Sequence, residues 1–162
     1  MSEDLVRADD IPVAHTPPGG WHGEMPPAVL DACTEPLVEG APDLRGTWRT
    51  IAAERDGAAV PEDDRVYDHV QRIEQCGDRI VVTAGGVVHD MRADGTEANG
   101  VHDVAEFDFT TEITVVATYE DGVHVLRPVG FPIEVTRHLD GDQLIWNYLG
   151  SRVTLERVRP GA

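Results

Sequence analysis

From Leu44 onward the chain repeats one local pattern. Valine, isoleucine, threonine and aromatic residues alternate with polar ones, and a glycine-containing turn interrupts the alternation every 8–12 residues. A period of two sends successive side chains to opposite faces of a strand. Short strands joined by tight turns pair antiparallel. The pattern predicts ten strands, near 45–53, 65–76, 79–84, 87–93, 100–108, 112–120, 123–129, 133–139, 143–149 and 152–159, with no ten-residue amphipathic helix between them. Such a series forms a β-sandwich or, as read here, a single antiparallel up-and-down β-barrel of the all-β class. A chain of 162 residues is long enough to bury the core of one domain.

The segment before this pattern is different. Residues 1–43 read as a proline-rich N-terminal extension and 44–162 as the barrel domain. Pro12, Pro17, Pro18, Pro26, Pro27, Pro36 and Pro42 remove backbone donors and fix φ, so the extension cannot be sheet interior. Residues 28–33, following Pro26-Pro27, fit one short helix. The remainder reads as an extended wrap or a tail, with Trp21 packing part of it onto the body.

The turns assign the faces. Gly85-Gly86 places Ile80, Val82 and Ala84 with Val87, His89 and Met91, and leaves Arg79, Thr83, Asp90 and Arg92 on the opposite face. Asp121-Gly122 places Ile113, Val115, Ala117 and Tyr119 with His124 and Leu126, Tyr119 lying opposite His124. Asp140-Gly141 groups Ile133, Val135 and Arg137 with Leu144, Trp146 and Tyr148, and a turn at Gly150-Ser151 adds Val153, Leu155 and Arg157. Slipping this register by one residue would put Trp146 and Tyr148 in solvent. Around 94–97 an even loop sets His89 against His102. An odd loop turns His102 outward and Val101, Ala105 and Phe107 inward, and it buries more apolar surface.

Charge excludes whole classes of partner. Thirteen basic and 30 acidic side chains give a formal net charge of −17, which repels nucleic acid and anionic membranes. Every basic residue is arginine, so lysine chemistry is absent. Ser2 and Ser151 are the only serines, and neither lies in a Gly-x-Ser-x-Gly context. Cys33 and Cys76 have neither CxxC nor zinc spacing, and the acidic N-terminus is unlike a signal peptide, so the expected compartment is the reducing cytoplasm.

Leu44-Arg45-Gly46-Thr47-Trp48 opens the first strand with Gly-x-Trp. This resembles the first-strand signature of the calycin superfamily, which includes lipocalins, fatty-acid-binding proteins and avidin-like barrels. The resemblance covers roughly 44–159 and extends to Arg137-His138-Leu139-Asp140-Gly141-Asp142-Gln143-Leu144, which looks like a late hairpin of the fatty-acid-binding proteins. It implies that Trp48 closes one barrel end against Arg157. The chain departs from the families in detail. Residues 54–64 are too few for the two helices of fatty-acid-binding proteins, the terminal Arg-x-Tyr is missing, and no Gly-x-Gly of nitrobindin-like haem barrels follows Trp48.

The candidate site lies on the inward face. A buried Arg137 needs an anionic partner, either a ligand carboxylate or an internal acid such as Glu106 or Glu134. His89, Tyr119 and His124 are candidate proton-transfer groups, or hydrogen-bonded core residues. Val82, Met91, Trp146 and Tyr148 complete the expected ligand-binding lining. A metal would need His89 with His102 and Asp103 in the even register; no metal or cofactor is assigned. The reading is a barrel that binds one small hydrophobic or aromatic, acidic molecule. The resemblance also implies two alternatives: a cofactor-independent cyclase or isomerase of bacterial secondary metabolism, and a haem barrel using His89 or His124.

Overall fold

A computed structural model describes residues 5–158; the outermost ends of the expected extension and of the last strand lie outside the described residues. The strands are β1 (Gly46–Arg55), β2 (Ala58–Ala59), β3 (Val70–Cys76), β4 (Arg79–Ala84), β5 (Val87–Arg92), β6 (Val101–Val104), β7 (Glu112–Glu120), β8 (Val123–Pro128), β9 (Val135–Asp140), β10 (Gln143–Tyr148) and β11 (Ser151–Arg157). Ten of them form one antiparallel sheet in the order β5-β4-β3-β1-β11-β10-β9-β8-β7-β6, with β2 pairing only with β1. The sheet is a nearly closed all-β barrel. Among the described residues no helix is long and apolar enough to cross a membrane.

The tight turns act as the glycine pattern predicts. Residues 85–86 and 121–122 both have positive φ at each central position, the geometry that matches the strand twist. The β10–β11 turn falls one residue earlier than expected, at Leu149-Gly150, because Tyr148 pairs with Ser151. The inward faces hold, and Trp48, Leu144, Trp146, Val153 and Leu155 are buried in the main core.

Several expectations need correction. Residues 28–33 form bends and turns rather than a helix. Residues 65–68 form a short 3-10 turn, so β3 starts only at Val70. Strand β6 ends at Val104; Val101 and Ala105 turn inward and His102 outward, as in the odd register, but Phe107 is 77% exposed on the β6–β7 loop. Ile133 lies in the loop before β9 and is exposed.

The largest difference concerns the extension. It is a strap over the outer face of β3, β4 and β5, where Ala8, Leu30, Cys76, Val81 and Val88 form a second core. Strand β4 is therefore buried along its whole length. Arg79 and Asp90, which alternation placed on the face away from the barrel interior, are 2% and 5% exposed. The Arg79 guanidinium donates to both Asp90 carboxylate oxygens and to the carbonyls of Ala8, Ile11 and Pro12. A proline-rich segment is poor in N–H donors but rich in carbonyls, and arginine is a pure donor. The Glu74 carboxylate accepts from the N–H groups of Val29 and Leu30, and Trp21 donates from its indole to the Val87 carbonyl.

Cys33 and Cys76 form a disulfide that fixes the returning leg of the strap to β3. Their spacing gave no sign of this, because the pairing depends on how the strap folds back. A disulfide is at odds with the reducing cytoplasm expected from the sequence.

The strap also spans the barrel's open seam. No strand ladder joins β5 to β6 among the described residues. Across the seam, His89 Nε2–H donates to the Val104 carbonyl. Thr16 exchanges hydrogen bonds with Val88 and donates its N–H to Asp103. At the far end of the barrel Trp48 is fully buried and pairs with Arg157. The Arg157 guanidinium lies 4.4 Å from the indole centroid, and a Cβ at Gly46 would stand 3.0 Å from Arg157 Nε. Gly-x-Trp therefore works here by leaving room for the arginine over the ring.

Two stability measurements follow from this packing. Trp48→Ala should cost about 3–5 kcal/mol in chemical denaturation, and a double-mutant cycle with Arg157→Ala should show coupling of about 0.5–1 kcal/mol. Breaking the disulfide, which closes a 43-residue separation, should cost about 2–4 kcal/mol, read as the shift in urea midpoint on adding reductant.

Candidate functional site

The site is a single row of side chains crossing the sheet. Strand pairing sets Tyr119 of β7 opposite His124 of β8, His124 opposite Arg137 of β9, Arg137 opposite Trp146 of β10, and Trp146 opposite Val153 of β11. Each faces inward because each hairpin preserves the alternation.

Arg137 is 5% exposed inside this row. Its Nε donates to Gln71 Oε1 at 2.8 Å, and its guanidinium carbon lies 5.4 Å from the Trp146 ring centroid. No carboxylate among the described residues is within ion-pair distance. Glu134, one of the two acids considered as partners, pairs with Arg127 instead. Arg137 Nη1, Trp146 Nε1 and both ring nitrogens of His124 are buried without hydrogen-bond partners. Burial lowers the Arg137 pKa to about 10, while the nearby Glu106 carboxylate and Tyr148 phenol oppose that shift. The guanidinium thus remains charged at neutral pH.

The histidines here are neutral. His124 is fully buried, and desolvation together with the Arg137 charge lowers its pKa to about 3. His69 is lowered to about 4 by the same two causes in the same order. Gln71 Nε2 lies 2.9 Å from His69 Nε2, so the unprotonated nitrogen accepts from the amide. His69 stacks on Trp146 with centroids 4.7 Å apart. Arg137, Gln71 and His69 therefore form a directed chain of donors and acceptors.

A cavity of about 420 Å³ opens at the barrel mouth, lined by Arg55, Asp64, His69, Trp146, Tyr148 and Val153 among others. That volume suits a small organic ligand. A hollow of about 510 Å³ lies between the strap and the seam, but Arg79, Asp90 and Arg92 in its wall are already paired with one another or with neighbouring groups.

The expected residues separate into four places. Arg137, His124, Trp146 and Tyr148 lie together. Val82 and Met91 belong to the core wall formed by β4 and β5. His89 is engaged at the seam, and the Tyr119 hydroxyl accepts from Gln75 in a network that also ties down Leu44 and Pro42. Burial raises the Tyr119 pKa to about 12. His69 and Gln71 were not singled out as site residues, although the alternation His69, Gln71, Ile73 was legible, and Glu106 was named only as an internal partner for Arg137.

No family model and no curated protein sequence matches the chain. Solved structures do. Human cellular retinol-binding protein IV aligns with a TM-score of 0.55 at 14% identity, covering 72% of this chain and 98% of that one. Zebrafish ileal bile-acid-binding protein, solved with cholic acid, aligns with a TM-score of 0.50 at 19% identity, covering 70% and 98%. The chain shares the antiparallel barrel fold of these two proteins. Both alignments take in nearly the whole relative and leave the rest of this chain without a counterpart.

The depressed histidines predict acid sensitivity. Unfolded histidines protonate near pH 6.5, whereas His124 and His69 stay neutral in the fold down to about 3 and about 4. The unfolded chain therefore binds more protons below pH 6.5, and stability falls on acidification until the folded-state pKa values are reached. Each histidine contributes a slope of about 1.4 kcal/mol per pH unit. Urea unfolding between pH 7 and 4 should show a shallower acid loss in His124→Phe.

Proposed function

We propose that this protein binds one small hydrophobic or aromatic acid in its barrel, with the acid group held by Arg137. The observation that carries this reading is the unpaired Arg137 Nη1, buried beside two further unpartnered groups, Trp146 Nε1 and the His124 ring. A buried guanidinium without a carboxylate is costly, and a ligand anion supplies the missing charge. Arginine also presents paired donors in the geometry a carboxylate accepts. The mouth cavity, with His69, Trp146 and Tyr148 in its wall, provides the aromatic surface that a ligand body needs. The retinol- and bile-acid-binding proteins of the same fold support a hydrophobic ligand as the class.

Binding is favoured over proton transfer by the state of His124. An imidazole that protonates only near pH 3 is a weak base and is never the acid at neutral pH. Its role in this reading is to donate one N–H to the bound anion.

Arg137→Met tests the assignment. Affinity for an aromatic or long-chain carboxylate should fall by about 1.5–3 kcal/mol, the scale of a charged hydrogen bond. Affinity for the methyl ester of the same acid should change much less. Calorimetric titration of both ligands checks this, and equal losses for acid and ester would remove Arg137 as the anion-holding residue.

A further inference from the structure

The loop between β6 and β7 brings an acid to the mouth of this barrel. The Asp108 carboxylate accepts from the N–H groups of Thr110 and Thr111, and the Ala105 N–H donates to the Thr111 carbonyl, so the loop is closed on itself. Phe109, with φ of 58°, leaves the loop and seats against the strap. A Cβ at Gly20 would stand 2.9 Å from Phe109 Cδ1, and one at Gly86 would stand 2.8 Å from Phe109 Cε1. These two glycines form a notch that any other residue would fill. His22 meets the Phe109 ring edge-on, with centroids 6.4 Å apart.

With the loop held in this way, Glu106 points across the barrel opening. Its carboxylate lies over the β4–β5 turn, where a Cβ at Gly85 would be 2.8 Å from Oε2. It also acts on the Tyr148 phenol of β10, adding to the effect of burial in holding that group protonated. Strands β4 and β10 are four places apart in the sheet order, so Glu106 links two distant sides of the mouth.

The geometry points to Glu106 as a charge-selective gate, positioned by the Phe109 knob in the Gly20–Gly86 notch between the strap and the β4–β5 turn. This rests on the reading of the barrel as the binding site. An acid held at Arg137 runs out past Glu106 and Tyr148, which lie near enough to act on that guanidinium. A second negative charge there is repelled, and an uncharged end or a hydroxyl is accepted. The ligand class this selects is a monoanion with a neutral far end. The strap acquires a functional part, since it sets the position of a residue on the opposite side of the seam.

The experiment compares dodecanedioate with its monomethyl ester, two ligands of like length that differ in the charge at one end, by calorimetric titration of the full chain. The unaltered protein should prefer the monoester. Glu106→Gln should narrow that preference by about five- to tenfold, the scale of one like-charge contact in a partly wet site. Phe109→Ala, which keeps the Glu106 side chain but removes the knob that positions it, should narrow it in the same direction. Arg137→Met should weaken both ligands together and leave their ratio alone. An unchanged ratio in both Glu106→Gln and Phe109→Ala overturns the gate, even where Arg137→Met confirms the anion site. Arg137→Met without effect on either ligand overturns the anion site, while the ratio in Glu106→Gln still decides the gate. Glu106→Gln alone keeps the test valid should Phe109→Ala unfold.

Discussion

Arg79 is the point on which the outer half of this molecule depends. Its guanidinium is nearly inaccessible, and its five N–H groups are directed to one carboxylate and three backbone carbonyls. A buried charge with every donor satisfied is stable where the same charge left unpaired would not be. The three carbonyls come from the strap, so this residue holds the proline-rich segment against the barrel wall. With the strap in place, β4 and β5 bury both faces, the β5–β6 seam is spanned, and the notch for Phe109 is completed. Glu74, Trp21 and the Cys33–Cys76 disulfide hold the same segment at other points.

The barrel contains a second buried arginine in the opposite condition. Arg137 has one side-chain partner, the neutral Gln71, and an Nη1 that bonds to nothing. The same side chain is a structural rivet in one place and keeps an unpartnered donor in the other. The difference lies in the supply of acceptors. The outer face of β4 meets a run of free carbonyls, and the inner face of β9 meets imidazole, indole and aliphatic carbon. A chain with net charge −17 thus carries a cation inside a strongly acidic shell. In the proposed reading an anionic ligand is repelled by the surface and attracted by the interior, and the charge at the mouth selects among anions.

Much of this site was legible as a sequence. The turns expected at 85–86, 121–122 and 140–141 place Tyr119, His124, Arg137 and Trp146 on inward faces; the β9–β10 turn falls one residue later, at Gly141-Asp142, and that register sets Arg137 opposite Trp146. The position of Trp48 against Arg157 followed from the Gly-x-Trp resemblance. His69 and Gln71 were missed for lack of an apolar or charged signature, though their spacing put them on the same face as Ile73. The acidity of His124 was not legible at all. Its depressed pKa comes from complete burial and from a guanidinium on the neighbouring strand, and neither is a property of the residues beside it in the chain.

The sequence by itself determined the strands, the tight turns and the division of each strand into two faces. These are local properties: alternation has a period of two, and a two-residue turn couples only its own pair of strands. It also determined that the interior contains an arginine. Tertiary structure alone decided which polar residues of the outer face are buried, because that depends on a segment 71 positions away from Arg79 in the chain. The disulfide, the Phe109 notch and the reach of Glu106 across the mouth were decided in the same way. Each arises where the strap or a loop returns to the barrel, and contacts of that kind leave no periodic trace in the residues that make them.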